Sequence, residues 1–229
     1  MNPEVDGIII YFPVFGTPQD SYLQQLTVPT KDVEGLSHRY LFNMYQNRRF
    51  LDVAKTQKSL LPCTPLAVIK ILEHIGMYNT ILPYGNRLFG KTITIVNRSE
   101  IVGRPLAALL ANDGADVWSV DITGIQRFTR GEGIKRPMHH VHDVDDKLED
   151  VVPRSDVVIT GVPSKNYKFP VKLLKSGAVC INFSSEKVWN LVEWQGNSAD
   201  GGCRTLIWRS RRGPRSTCLP SERSQSRYY

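Results

Sequence analysis

The sequence is poor in cysteine, and the four it has, Cys63, Cys180, Cys203 and Cys218, form no C-x-x-C pair and meet no histidine at zinc spacing. Neither a disulfide framework nor a zinc site is indicated. Apolar runs of membrane-spanning length are absent, and the first residues show neither a basic leader nor an Arg-rich amphipathic pattern. The expectation is a cytoplasmic protein with no membrane partner. Also missing is any motif that reads nucleic-acid bases, although the net charge is +7. Residues 186–229 hold eight Lys/Arg against four Asp/Glu, so the rest of the chain is nearly balanced and no nucleic-acid partner is expected. What is present is a 229-residue chain with 41% apolar residues, enough for one large domain or two small ones with a real core.

The most informative stretch runs from Lys91 to Leu106, KTITIVNRSEIVGRPL. Thr92 to Val96 is β-branched throughout, as a strand covered on both faces should be. Pro105 followed by Leu-Ala-Ala-Leu-Leu suits the first turn of a helix. A strand, a tight polar turn and a helix start form a dinucleotide cradle, because backbone N–H groups and the positive helix end face a pyrophosphate. The usual glycines are missing: the G-x-G-x-x-G places hold Asn97, Ser99 and Val102, with Gly103 one residue late.

The run Arg-Ser-x-x-Val-Gly-x-Pro resembles the cofactor loop of the methylenetetrahydrofolate dehydrogenase/cyclohydrolase family. So do the segments Val5–Pro13, Lys31–Leu36, Leu61–Pro65 and Ser155–Pro163, in the order and rough spacing of that family's blocks. Together they cover about residues 5 to 185, and the likeness is greatest to the fungal monofunctional, NAD-dependent members, with their Tyr-Phe-Pro-Val-Phe-Gly and Asn-Arg-Ser-Glu-Ile-Val-Gly-Arg-Pro runs. The resemblance implies an α/β fold: a Rossmann-like parallel sheet for NAD plus the remnant of an N-terminal α/β folate-cleft domain. It also implies a folate substrate, NAD as cofactor and a homodimer in the intact protein. Bifunctional dehydrogenase/cyclohydrolase activity, and a fragment that at most binds dinucleotide, stand as the alternatives.

Along the chain, Ile8 to Phe12 reads as a fully buried strand, and Thr64 to Gly76 as a core helix with Pro65 at its start and Gly76 as its stop. Beyond Gly90 strands and helices alternate: Thr92–Val96, Leu106–Ala111, Asp116–Val120, Asp156–Thr160 and Ala178–Ile181, which predicts a parallel sheet. Asp121 to Arg154, with His139, His140 and His142, reads as a solvated loop rather than a metal site. The division expected is 1–64 for the folate-domain remnant, 65–185 for the NAD domain and 186–229 for a non-native or disordered tail. Three of the four tryptophans fall in that tail, and no period of 2 or 3.6 persists there. A product truncated at its N-terminus, with translation running into non-coding or shifted sequence near Lys187, is the expectation.

The candidate site residues follow from this frame. Asp121 ends the second strand of the Rossmann unit, 18 residues after Gly103, where a carboxylate accepts from a ribose 2′-OH and repels a 2′-phosphate. Arg98 could instead serve a 2′-phosphate, so NAD rests on Asp121, with Ile122 beside it. The resemblance assigns cofactor contacts to Arg98, Ser99, Gly103 and Pro105, to the loop Gly161, Val162 and Pro163, and to Phe183, Ser184 and Ser185 near the nicotinamide; plain loop structure is the alternative for the last six. On the folate side it assigns Tyr11, Pro13 and Glu34, the last standing where the family usually has Asp. A carboxylate there can accept from the amide and amine face of a pterin, or it is a solvent-facing turn residue. Tyr11 stands where bifunctional members have Gln, which argues against hydrolysis of the methenyl product, and its alternative is sheet packing. Cys63, between Pro62 and Thr64 at a helix mouth, is the catalytic candidate by resemblance and a packing residue otherwise.

Overall fold

In the computed structural model the described residues are 2–184, Glu186 and Val188, with the backbone of residues 204–207. Three helices come first, α1 (Gln19–Leu26), α2 (His38–Tyr45) and α3 (Cys63–His74). Then follow β1 (Thr92–Val96), α4 (Gly103–Asn112), β2 (Asp116–Asp121), β3 (Gly124–Thr129), β4 (His140–Val144), the one-turn α5 (Leu148–Val151), β5 (Val157–Thr160), β6 (Val179–Asn182) and β7 (Arg204–Ile207). The strands form one sheet in the order β4-β3-β2-β1-β5-β6-β7. β2, β1, β5, β6 and β7 run parallel, whereas β3 and β4 are antiparallel additions at one edge.

Strand register sorts the β-branched residues onto two covered faces, as period 2 requires. Val117, Ile93, Val157 and Val179 form one row across β2, β1, β5 and β6, and Ile95, Ile159 and Ile181 lie in the next row on the same face. Trp118, Val158 and Cys180 turn to the other face, against Val151, Val152, Phe169 and Val171. Thr94 would leave a buried hydroxyl on that face, but it pairs with Ser155 Oγ at 2.7 Å, and Ser155 in turn donates to the Val151 carbonyl at 2.8 Å.

The central element is α4, buried from Pro105 to Asn112 and packed between the sheet and the pair α2 and α3. Its alanines, Ala107, Ala108 and Ala111, allow that close approach on more than one side. Both α3 and α4 end in a Schellman motif. Gly76 (φ +77°) and Gly114 (φ +101°) take the left-handed turn. Met77 N–H bonds to Leu72 O at 2.9 Å and Ala115 N–H to Leu110 O at 3.1 Å. Asp113, next to Gly114, ties in the preceding segments: it accepts from Arg49 at 3.2 Å and from the Tyr78 hydroxyl at 3.0 Å. Burial is the dominant influence on this carboxyl and raises its pKa in spite of the arginine.

Three expectations from sequence are corrected. Ile8 to Phe12 forms no buried strand: only Ile8 bridges, to Asp32, and Ile9 is 55% and Tyr11 80% exposed. An apolar run becomes a strand only where neighbours pair its backbone and cover its faces. The stretch from Asp121 to Arg154 is not a loop but carries β3, β4 and α5. Its first turn, Asp121-Ile122-Thr123-Gly124, is a two-residue hairpin connection without the Asn-Gly or Gly-first signature that marks such turns in a sequence. The expected parallel sheet is present in β2, β1, β5, β6 and β7, and β3 and β4 extend it antiparallel at one edge. A strand, β7, also pairs with β6 inside the segment where the sequence showed no element; the remaining expectation for 186–229 lies outside the described residues.

The three histidines have structural surroundings of their own. His139 stacks on Phe128 with ring centroids 5.5 Å apart, and both its backbone N–H (2.9 Å) and its ring Nδ1 (3.1 Å) reach Asn112 Oδ1. Burial pushes its pKa down to about 4, so the ring is neutral at pH 7 and donates through Nδ1–H. His140 and His142 are exposed and stack on each other. Among the described residues no group of three or more His, Cys, Asp or Glu is placed to hold a metal ion.

Candidate functional site

The strand order reverses at β1, whose chain neighbours in the sheet lie on opposite sides: β2 toward one edge and β5 toward the other. In open α/β sheets the crevice outside the carboxyl ends of strands at such a point is where ligands bind. Most of the sequence-predicted cofactor residues meet there. Arg98, Ser99, Gly103 and Pro105 follow β1, Asp121 and Ile122 end β2, Gly161, Val162 and Pro163 follow β5, and Phe183 and Ser184 follow β6. Ser185 lies outside the described residues.

The turn between β1 and α4 builds a tight phosphate-type loop without the usual glycines. Asn97 Oδ1 accepts from Ser99 N–H (3.0 Å) and Ser99 Oγ (2.7 Å), closing an Asx-turn. Ser99 Oγ then receives the N–H groups of Val102 and Gly103, both at 3.3 Å, at the start of α4. These are donors that a helix leaves free at its N-terminus. Gly103 is dictated by space rather than by φ: a Cβ there would stand 2.2 Å from the Asn97 carbonyl oxygen and 2.4 Å from its Oδ1. It performs the close strand–helix packing that the third glycine performs in the common fingerprint.

Across the crevice, Gly161 is again a spatial requirement, since its Cβ would fall 1.9 Å from the Phe183 ring. The outer tip of the Phe183 ring thus abuts the β5 loop at Gly161, and Ser184 fixes the arrangement by donating Oγ–H to Val162 O at 2.8 Å. Its own N–H is held by Asn182 Oδ1 at 3.0 Å. On the β2 side, Asp121 is exposed and accepts the Ile122 N–H through one oxygen at 2.8 Å, while Ile122 is fully exposed at the hairpin tip. Arg98 crosses to that hairpin and donates Nη2 to the carbonyls of Ser119 (3.4 Å) and Gly124. The guanidinium thereby secures the turn that presents Asp121, and its positive charge lies on the β2 side of the crevice.

The folate-side candidates are organised by Asp32. Its carboxylate collects the N–H groups of Glu34 (3.0 Å), Gly35 (2.9 Å) and Ser37 (2.8 Å). Glu34 reaches back to accept the Ile10 N–H at 3.2 Å. Gly35 has φ +68° and passes so close to the next block that a Cβ would lie 2.8 Å from the Leu61 carbonyl carbon. This close pass sets the Glu34 turn beside Leu61 and Pro62, the residues that lead into Cys63. Cys63 is exposed at the first position of α3. Tyr11 and Pro13 are exposed and belong to no helix or strand, so the packing alternative for Tyr11 does not apply.

One participant was passed over in the sequence. Asn97 appeared there as a missing glycine, yet its side chain organises the whole β1–α4 turn. Asn followed two residues later by Ser at a strand end is the signal that could have revealed it.

Comparison with known proteins places this geometry. Residues 62–134 match the model of the tetrahydrofolate dehydrogenase/cyclohydrolase NAD(P)-binding domain. The methylenetetrahydrofolate dehydrogenase [NAD(+)] of Schizosaccharomyces pombe is 68% identical over 186 residues, covering 81% of this chain and 58% of that protein. The protein of the same name from Saccharomyces cerevisiae is 60% identical over 190 residues, covering 81% and 59%. The solved structure of the NAD-dependent 5,10-methylenetetrahydrofolate dehydrogenase from Saccharomyces cerevisiae superposes with a TM-score of 0.78 at 54% identity, covering 88% of this chain and 64% of that one. The chain therefore spans about three fifths of the length of the relatives it matches. With the β1–α4 loop, the switch-point crevice and the sequence likeness in agreement, the chain belongs to the methylenetetrahydrofolate dehydrogenase/cyclohydrolase family.

Proposed function

We propose that this chain carries the dinucleotide site of an NAD-dependent methylenetetrahydrofolate dehydrogenase, which oxidises 5,10-methylenetetrahydrofolate to the 5,10-methenyl form. The observation that carries the reading is Asp121 at the exposed end of β2, beside the Asn97–Gly103 loop and on the crevice at the strand-order reversal. The residues fit a dinucleotide by their own chemistry. The start of α4, its first turn held by Ser99, offers the positive end of a helix dipole to a pyrophosphate, Gly103 leaves room for the backbone to approach, and Asp121 offers acceptors to ribose hydroxyls. Bound NAD would supply the hydride acceptor.

The chain's own contribution is position. Val162, Pro163, Phe183 and Ser184 form the wall beside the nicotinamide half, where the Phe183 ring, set against Gly161, excludes water from one side. Glu34 is the acceptor for the pterin amide and amine, with Tyr11 and Pro13 beside the substrate and Cys63 at the mouth of α3 as catalytic candidate. Holding the reacting carbon against the ring accounts for most of the acceleration in such a site. The reading extends to residues 1–64 as folate side and 65–185 as NAD side, and to a cytoplasmic homodimer, tested by fluorescent tagging in cells and by sedimentation equilibrium.

The test is NAD-dependent formation of the methenyl product, followed by absorbance, together with NAD and NADP titrations of the same chain. Turnover with NAD and weak NADP binding support the reading, and equal affinity for the two nucleotides contradicts the role of Asp121. A second reading, a dinucleotide binder without turnover, is favoured by the exposure of Tyr11 (80%) and Phe15 (60%) on the folate side. NAD binding without methenyl formation would select it.

A further inference from the structure

We infer that Asn97 is a positioning residue that couples the two loops flanking the dinucleotide crevice, so that the β1–α4 turn and the β5 loop open and close as one unit. The inference rests on the proposed dinucleotide site for its functional meaning. Asn97 stands at the end of β1, between the two halves of the sheet. Its Oδ1 holds Ser99 through two hydrogen bonds on the pyrophosphate side. Its Nδ2 crosses the switch point and donates to the Gly161 carbonyl at 2.9 Å on the nicotinamide side.

The orientation of the amide is fixed by its partners: a backbone N–H can only donate and a carbonyl can only accept, so the oxygen must face Ser99 and the nitrogen Gly161. The backbone reinforces the tie, because Gly161 N–H donates to Val96 O at 3.1 Å, one residue before Asn97. Glycine, the usual residue at this place in a dinucleotide loop, has no side chain with which to make either bond. This chain thus gains a side-chain bridge where the common fingerprint has none. The cost is crowding, visible in the Asn97 atoms that would overlap any Cβ on residue 103. Ser99, Val102 and Gly103 on one side and Gly161, Val162 and Phe183 on the other are thereby linked through a single amide.

Two variants of the full chain separate coupling from mere stability. Asn97→Ala removes both halves of the bridge. Asn97→Asp keeps an acceptor for Ser99 but cannot donate to Gly161 O. The measurement is residue-resolved amide hydrogen exchange by NMR, with the Ile95 and Val158 amides as strand references. The expected result for Asn97→Ala is exchange about tenfold faster at both Ser99 and Gly161, the scale of one to two lost hydrogen bonds. For Asn97→Asp the expected result is selective: Ser99 stays protected while Gly161 exchanges faster. Unchanged protection at Gly161 in both variants, or acceleration spread evenly over the reference strands, overturns the inference.

In parallel, NAD titration of the unaltered chain tests the site itself. Failure to bind NAD would remove the functional reading while the exchange data still decide the coupling. Where NAD binds, Asn97→Ala is expected to weaken it about tenfold, and unaltered affinity counts against Asn97 as a positioning residue.

Discussion

At the scale of single residues, the site depends on a few positions where geometry admits one side chain only. Gly103 faces backbone and side-chain atoms of Asn97 at distances no real Cβ tolerates. Because part of that obstacle is main chain, it cannot swing aside, and Gly103→Ala is expected to displace the start of α4. Destabilisation of about 1–3 kcal/mol in chemical denaturation, with loss of NAD binding, is the expected outcome; a variant as stable as its parent would contradict the packing argument. The role proposed for Asp121 rests on charge rather than shape. Asp121→Ser removes repulsion of a 2′-phosphate and an acceptor for the 2′-OH, so the ratio of NADP to NAD affinity is expected to rise by about tenfold or more, read by paired titrations. Both residues were legible from sequence, since each belongs to a run of strand, turn and helix. The Asn97 bridge and the Phe183–Gly161 contact were not, because they join segments 64 and 22 residues apart.

At the scale of elements, α4 links the site to the core. Leu110 is fully buried within it, and the helix packs on β1, β2 and β3 with α2 and α3 on its other side. Leu110→Ala is expected to cost about 2–5 kcal/mol, as a well-packed interior leaves a cavity that cannot close fully, measurable by urea denaturation. The helix was readable from its run of apolar residues and its Pro105. The hairpin β3–β4 was not, because its strands are rich in polar residues and the β2–β3 turn that leads into it lacks glycine at the central positions. What holds it is tertiary: Arg130 Nη1 donates to Gly85 O, Asn86 Oδ1 and Asn112 O, all within 3.1 Å, and His139 packs on Phe128.

For the whole molecule, His139 gives stability a pH dependence whose sign is fixed. Its folded pKa, about 4, lies below the ordinary value near 6.5, so between these values the unfolded chain binds more protons. Its contribution is fully present above about pH 6.5 and is lost as pH falls toward 4, on the order of 3 kcal/mol in all. His139→Gln should flatten the fall in melting temperature between pH 6.5 and 4.5; an unchanged slope would show that other groups govern it. NAD that binds only the folded chain should raise the melting temperature in proportion to the logarithm of its concentration, which scanning calorimetry can follow.

The sequence by itself determined the parallel strand core, α3, α4 and the family, because β-branched runs, the helix-stop Gly76, the helix-starting Pro105 and the Arg-Ser-x-x-Val-Gly-x-Pro loop are local patterns that a short window contains. Tertiary structure alone decided that Ile8 to Phe12 stays exposed, that a polar segment joins the sheet as β3 and β4, and that Asn97 spans the crevice. Pairing, cover and cross-loop hydrogen bonds depend on residues distant in the chain, and no local pattern states which partners will arrive.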